Sequence, residues 1–328
     1  MNGFQVLAVC VCILLTALDG FDILAISFAA PGIAQQWSIN RAGLGVVLAM
    51  ELFGMALGSI VLGGVADRFG RRPTILLCLV IMTVGMYLAA LVHSVNQLLV
   101  VRFLTGLGIG GMLASTNAMV AEYSNARHRS LAVILMATGY PIGAVLGGSV
   151  ATVLLQHMDW RAIFVFGAIV TGLFLIVVWF CLPESIEYLS NKRPRNALDR
   201  INKTLGKMGH DSIGRLPDVQ KPLASSSYHQ LFSEQYRVRT ALLMLGYFTH
   251  FMTFYFILKW IPKIVVDMGY EASSAGSVLV WANAGGVVGA LSLGILTARV
   301  ELGRLLIAVL LLSFLMVCGF GFGQPTLT

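Results

Sequence analysis

Charge is what this sequence has least of. Only 11% of its 328 residues are charged, under half the roughly 25% of soluble domains. Apolar residues make up 57%, and the mean hydropathy is +0.83. No globular core calls for so much apolar sequence, which excludes a soluble enzyme or a nucleic-acid-binding protein. The formal net charge of +7 does not change this, because the basic residues sit in short loops between apolar runs. The five cysteines fall inside those runs with neither metal-ligand spacing nor a disulfide framework. Neither GxSxG nor HExxH occurs, so a membrane hydrolase has no support. No Lys or Arg precedes Arg41, and the first apolar run is too long for a secretory signal. Nothing alternates as the strands of a membrane barrel would.

What the sequence has in abundance is apolar stretches of about 20 residues, enough to cross a bilayer. They lie near 6–30, 43–66, 73–92, 97–120, 131–155, 161–182, 238–262, 274–298 and 304–323, predicting nine helices. Arg68, Arg71, Arg72, Arg127, Arg129, the ten basic residues between 192 and 239, Arg299 and Arg304 fall on one side. Arg41, Arg161, Lys259 and Lys263 fall on the other. The positive-inside rule then places the N-terminus in the cytoplasm.

The long hydrophilic segment 183–237 carries Ala197, Leu198, Ile201 and Leu205 at helical spacing among basic residues, predicting a short amphipathic helix on the membrane surface. A calmodulin-like binding segment would share that pattern with a plain linker helix. The segment divides an amino-terminal six-helix unit (1–182) from a three-helix unit (238–328). Sliding the sequence by 231 residues lays Leu62-Gly63 on Leu293-Gly294, Arg68 on Arg299 and Asp19 on His250. Internal repeats of this kind mark secondary transporters, with the site between the halves near the midplane. By this register the second copy ends after three helices where the first has six.

Asp19 and Asp22, three residues apart near the middle of the first span, share a face. A central charge costs roughly 2.5–3.5 kcal/mol on insertion scales, so such residues usually line a cavity. They are candidates for a proton-accepting pair, with a structural ion pair as the alternative. Arg102, inside the fourth span, can bind an anionic substrate or pair with Asp22 or Glu51. His250 can relay protons or bond substrate, or simply pack, and Tyr247, Phe251, Phe254 and Tyr255 around it can stack on a ring. Gly63-Gly64-Val65-Ala66-Asp67-Arg68-Phe69-Gly70-Arg71-Arg72 joins the second and third spans. Its glycines permit a tight turn and Asp67 can pair with the arginines as a latch. Glu122 is placed to pair with Arg127, Arg129 or that loop. Gly106-Leu107-Gly108-Ile109-Gly110-Gly111 fits a dinucleotide fingerprint but lies within a membrane span, where small residues permit close packing, as do Gly54/Gly58, Gly139/Gly143/Gly147 and Gly285/Gly289.

GGVADRFGRR at 63–72 resembles the signature loop of the major facilitator superfamily. Arg102 with Gly106, Gly108 and Gly110 resembles its fourth-helix motif, and Pro183-Glu184-Ser185 its sixth-helix exit. DGFD at 19–22 is similar to the aromatic acid:proton symporters, bacterial inner-membrane importers of benzoate-like acids. The resemblance implies an all-α membrane fold of twelve helices in two six-helix bundles, of which about nine are present here. It implies that Asp19 and Asp22 couple protons, with Arg102 and Glu122 as charged partners. Gly63, Asp67, Arg68, Gly70, Arg71 and Arg72 would gate the cycle. Gly139-Tyr140-Pro141-Ile142-Gly143 resembles a drug-antiporter motif without its Gly-Pro order. The second copy of the latch has Ala298 where an Asp is usual. The expected partners are a small aromatic carboxylate, protons and the bilayer, with no cofactor beyond the proton gradient, no nucleic acid and a monomeric state. Another facilitator substrate (sugar acid, dicarboxylate or drug) and a non-transporting remnant are the alternatives.

Overall fold

The structure, a computed structural model, describes residues 1–125, 127–216, 232–297 and 300–323. Eleven α-helices and no strand occur among them. In chain order they are α1 (Gly3–Trp37), α2 (Arg41–Phe69), α3 (Arg71–Leu91), α4 (Val95–Tyr123), α5 (Arg129–His157), α6 (Arg161–Cys181), α7 (Ile186–Lys192), α8 (Ala197–Lys207), α9 (Arg237–Asp267), α10 (Ala272–Leu296) and α11 (Leu302–Gly323). Eight, α1–α6, α9 and α10, are long and apolar enough to cross a membrane. The ninth expected span is α11, whose apolar stretch covers Gly303–Gly319. The expected all-helical membrane fold is thus what forms.

Helices α1, α2, α4, α5 and α9 overrun the predicted spans at both ends, and the starts of three of them are capped. At the start of α1, the backbone of Asn2 donates to Gln5 Oε1 at 2.9 Å. Asn40 Oδ1 accepts from Gly43 N at 2.8 Å to start α2, and Ser94 Oγ caps α4, each satisfying a donor that the first helical turn leaves free. The amphipathic helix of the linker is α8, with Ala197 and Ile201 buried. The seven-residue α7, capped by Ser185 Oγ, precedes it without having been foreseen.

Helix α1 is the axis of the arrangement. It is buried over most of its length and packs against α5, α4, α6 and α9. Glycine sets the closest crossings, as expected for membrane helices. A Cβ on Gly143 of α5 would overlap the backbone of Ala17, and one on Gly20 of α1 would overlap the carbonyl of Tyr140. The α2–α4 pair meets in the same way, Gly54 and Gly58 against the backbone at Phe103, Gly106 and Leu107, and Gly110 against Met55. The Gly106–Gly111 run is therefore a packing surface. Gly285 and Gly289 depart from that expectation: nothing described lies within 4 Å of a Cβ placed there. The α10 face that meets α5 instead carries Gly276, beside Thr152, and Gly294, beside Ile134.

Candidate functional site

Five charged side chains from four helices converge in the interior, and each is at most 2% exposed: Asp19 and Asp22 on α1, Glu51 on α2, Arg102 on α4 and Lys259 on α9. Charges at that depth are costly unless paired. Arg102 forms an ion pair with Glu51 through Nη2. The same nitrogen donates to the backbone carbonyl of Asp22 at 3.1 Å, and Nη1 meets the thioether of Met86 at 3.3 Å. The guanidinium lies over the ring of Phe164, 5.5 Å from its centroid. Of the pairings open to it in the sequence, Arg102 therefore adopts the one with Glu51, and touches Asp22 through the main chain alone.

Lys259 holds the other oxygen of Glu51 at 2.9 Å and also donates to the carbonyl of Ile23. This corrects its assignment to a loop flank. A basic residue three places from the end of an apolar run is taken for a membrane anchor, but α9 continues to Asp267 and turns Lys259 inward. The other basic groups of that side pair with carboxylates: Arg41 with Asp267 at 3.2 Å, Lys263 with the same carboxylate and Arg161 with Asp159 at 2.8 Å.

Asp19 and Asp22 come together as their spacing predicted, but both are fully buried instead of lining an open cavity. The physical cause is the glycine crossing of α1 and α5, which brings backbone against backbone beside them. No described group donates to either oxygen of Asp19, and Oδ1 of Asp22 is likewise unpartnered. Asp22 Oδ2 accepts from Thr171 Oγ1 of α6 at 3.3 Å. Tyr140 of α5, whose hydroxyl is buried and unpartnered, and Phe254 and Tyr255 of α9 supply aromatic surface near the charges. His250 takes no part in this cluster: it lies exposed on α9, with its ring stacked on Phe254.

The 63–72 loop is a second, separate cluster at one end of the bundle. Gly70 has φ +112°, a conformation that favours glycine, and caps the turn from α2 into α3. Asp67 pairs with Arg71 at 2.7 Å, as the latch expectation requires. Arg72 does not join them: its guanidinium lies 5.6 Å from the ring centroid of Trp179 on α6. Arg68 is exposed over Phe69, and Gly63 has only Ala114 near it. Glu122 lies within the field of Arg71 of that loop. It accepts from Ser185 Oγ at 2.6 Å and from the backbone of Glu187 at 3.4 Å, because the start of α7 offers free donors closer than the arginines do.

Glu184, which the sequence did not single out by role, organises this end. Its Oε1 accepts from the backbone of Arg71, Arg72 and Ser185 at 2.8, 3.1 and 2.9 Å, setting a carboxylate at the N-terminus of α3. Glu184→Ala is expected to cost about 1–2 kcal/mol, seen as a lower melting temperature in detergent. Glu184→Gln, which keeps an acceptor oxygen, should lose less. The second copy of the latch, Ala298 and Arg299, lies outside the described residues. An apolar groove beside Val80, Val84 and Leu104, between α3 and α4, carries no candidate chemistry.

A family model described as Major Facilitator Superfamily matches residues 12–328. The gallate transporter of Pseudomonas putida is 30% identical over 322 residues, covering 97% of this chain and 71% of that protein. The 4-hydroxybenzoate transporter PcaK of Acinetobacter baylyi is 31% identical over 338 residues, covering 100% of this chain and 73% of that protein. For the 4-hydroxybenzoate transporter PcaK of Pseudomonas putida the figures are 33%, 90% and 66%. The chain thus spans about two thirds to three quarters of the length of these relatives. Among solved structures, the partially occluded inward open conformation of the xylose transporter XylE from E. coli superposes with a TM-score of 0.72 at 18% identity. That match covers 91% of this chain and 74% of that one, a likeness of fold.

Proposed function

The chain belongs to the Major Facilitator Superfamily, and from that premise we propose that it moves small aromatic carboxylates across a membrane together with protons, by alternating access. It is a multi-pass membrane protein and not an enzyme. In this reading residues 1–182 form the amino-terminal bundle and 238–328 part of the second, joined by the 183–237 linker. The membrane is a bacterial inner membrane, the N-terminus is cytoplasmic and the unit is a monomer. The relatives named for gallate and 4-hydroxybenzoate support the substrate class.

The observation that carries the proton half is Asp19. Both its oxygens are buried without a partner, beside Asp22 and within the field of Glu51. An unpaired carboxylate charge in such a place costs several kcal/mol, whereas a neutral carboxylic acid carries no such charge. A group held like this is suited to enter the closed state with a proton and to give it up when water reaches it. Arg102 is the charged partner that holds Glu51 in the same interior, and His250 serves at the cavity wall when the bundles part. The Asp67–Arg71 pair, with Arg72, Arg68, Glu122 and the turn at Gly63 and Gly70, governs opening at the cytoplasmic end.

The test is uptake into proteoliposomes with an imposed proton gradient, offering benzoate, 4-hydroxybenzoate, succinate and xylose. Accumulation of the aromatic acids alone is the expected result. Asp19→Asn is expected to abolish gradient-driven accumulation while leaving exchange of pre-loaded substrate. Intact pH-driven uptake of every aromatic acid by that variant would remove Asp19 from the coupling role.

A further inference from the structure

The charge cluster is unbalanced in an informative way. Two cations, Arg102 and Lys259, hold the single carboxylate of Glu51, one on each oxygen. With Asp19 and Asp22 protonated the cluster has a surplus positive charge, matching one carboxylate monoanion. The cations also have unused donors. Arg102 Nε is buried with no partner, and its Nη1 reaches only a thioether sulfur, a weak acceptor for a guanidinium that forks onto carboxylates. Lys259 carries three donors, directed at Glu51 and a backbone carbonyl. The other ionisable groups facing the cluster are Cys78 from α3, Tyr140 from α5 and Tyr255 from α9; α6 contributes the hydroxyl of Thr171, and α10, a further neighbour of α1, has no ionisable side chain.

Glu51 therefore occupies, with a carboxylate of the protein itself, the geometry that a bound acid would need. Aromatic surface stands beside it: Phe254 is 6.4 Å from Tyr140 and 5.3 Å from Tyr255, centroid to centroid. We infer that Glu51 is an internal stand-in for the substrate carboxylate, and that Lys259 is the substrate-binding cation that the incoming acid takes over from it. Arg102 keeps Glu51 through the exchange, so that the glutamate is never left without a counter-charge. Since Lys259 is the contact that α9 makes with the α1–α2–α4 charges, transfer of its ammonium to substrate releases α9 from Glu51. This inference rests on the carrier reading above and adds to it a ligand and a competitor.

Binding of radiolabelled benzoate to the purified protein tests it, with benzamide as the neutral isostere. Wild type should prefer benzoate. Lys259→Met should weaken benzoate by at least about tenfold and erase the preference over benzamide; a merely structural defect would weaken both ligands alike and would overturn the assignment. Glu51→Gln should bind benzoate more tightly, by about three- to tenfold, because the competing carboxylate is gone. Misfolding cannot produce a gain, so this variant decides the matter even where Lys259→Met fails to fold. Weaker or unchanged benzoate binding in Glu51→Gln, or unchanged binding in Lys259→Met, overturns the inference while leaving aromatic-acid transport standing. Lys259-dependent binding of acetate or propionate without benzoate would leave the inference and sink the aromatic reading. No binding of any carboxylate would end both.

Discussion

Arg102→Met is expected to destabilise the protein by about 3–5 kcal/mol and to abolish uptake, the largest effect of any single charge removal. The side chain is wholly buried and serves four neighbours at once: the Glu51 carboxylate, the Asp22 carbonyl, the Met86 sulfur and the face of Phe164. Truncation leaves Glu51 with half its counter-charge and removes the bond that Arg102 adds to the Asp22 carbonyl. Arg102→Lys should not restore function, because a point-charge ammonium cannot reproduce the planar fork or lie flat on the ring. Adding both Glu51→Gln and Lys259→Met to Arg102→Met should recover part of the stability, since the three paired charges are then lost together and none is stranded. Thermal unfolding in detergent measures each step. If Arg102→Met unfolds within about 0.5 kcal/mol of wild type, as surface substitutions do, the interior charges are not coupled as described.

The second large effect is steric. Gly143→Leu should yield little or no folded protein, a loss beyond about 4 kcal/mol of the kind reserved for severe overpacking. A single Cβ at Gly143 already overlaps the backbone of Ala17, and a backbone cannot rotate away as a side chain can. The two helices would have to separate at the turn that presents Asp19 and Asp22. Gly289→Ala, in α10 with nothing among the described residues within 4 Å of the added Cβ, is the matched control. It should be neutral or stabilising by up to about 1 kcal/mol, through helix propensity alone. Monodispersity on gel filtration and yield from membranes separate the two outcomes.

Much of this was legible in the sequence, and the boundary falls where local pattern gives way to tertiary pairing. Apolar runs of membrane length and the i, i+3 spacing of Asp19 and Asp22 are local, and both survive in the structure. The amphipathic stretch at 197–205 is local too, and it folds as α8. Three residues from a predicted helix end, nothing local separates an anchor from an inward-facing charge; the meaning of Lys259 comes from Glu51, 208 residues away. The role of Glu184 is invisible to local pattern, since it acts on backbone donors 112 and 113 residues distant. The bonds of Glu122 to Ser185 and Glu187 are not local either, because the seven-residue α7 has too little periodicity to read from sequence. A rule that would have found the cluster is available: every charged residue within a span, Glu51 included, should be balanced against every other before any is assigned to a surface.

The indole next to Lys259 has a use of its own. The ring of Trp260 lies against Gly45 of α2, so it bridges the two helices that the Glu51–Lys259 bond joins. Parting them would move that indole from a packed apolar seam into a wetter setting and shift its emission. With Trp37, Trp160, Trp179 and Trp281 replaced by phenylalanine, the protein would carry its own fluorescent gauge of how far α9 stands from α2, with no attached dye.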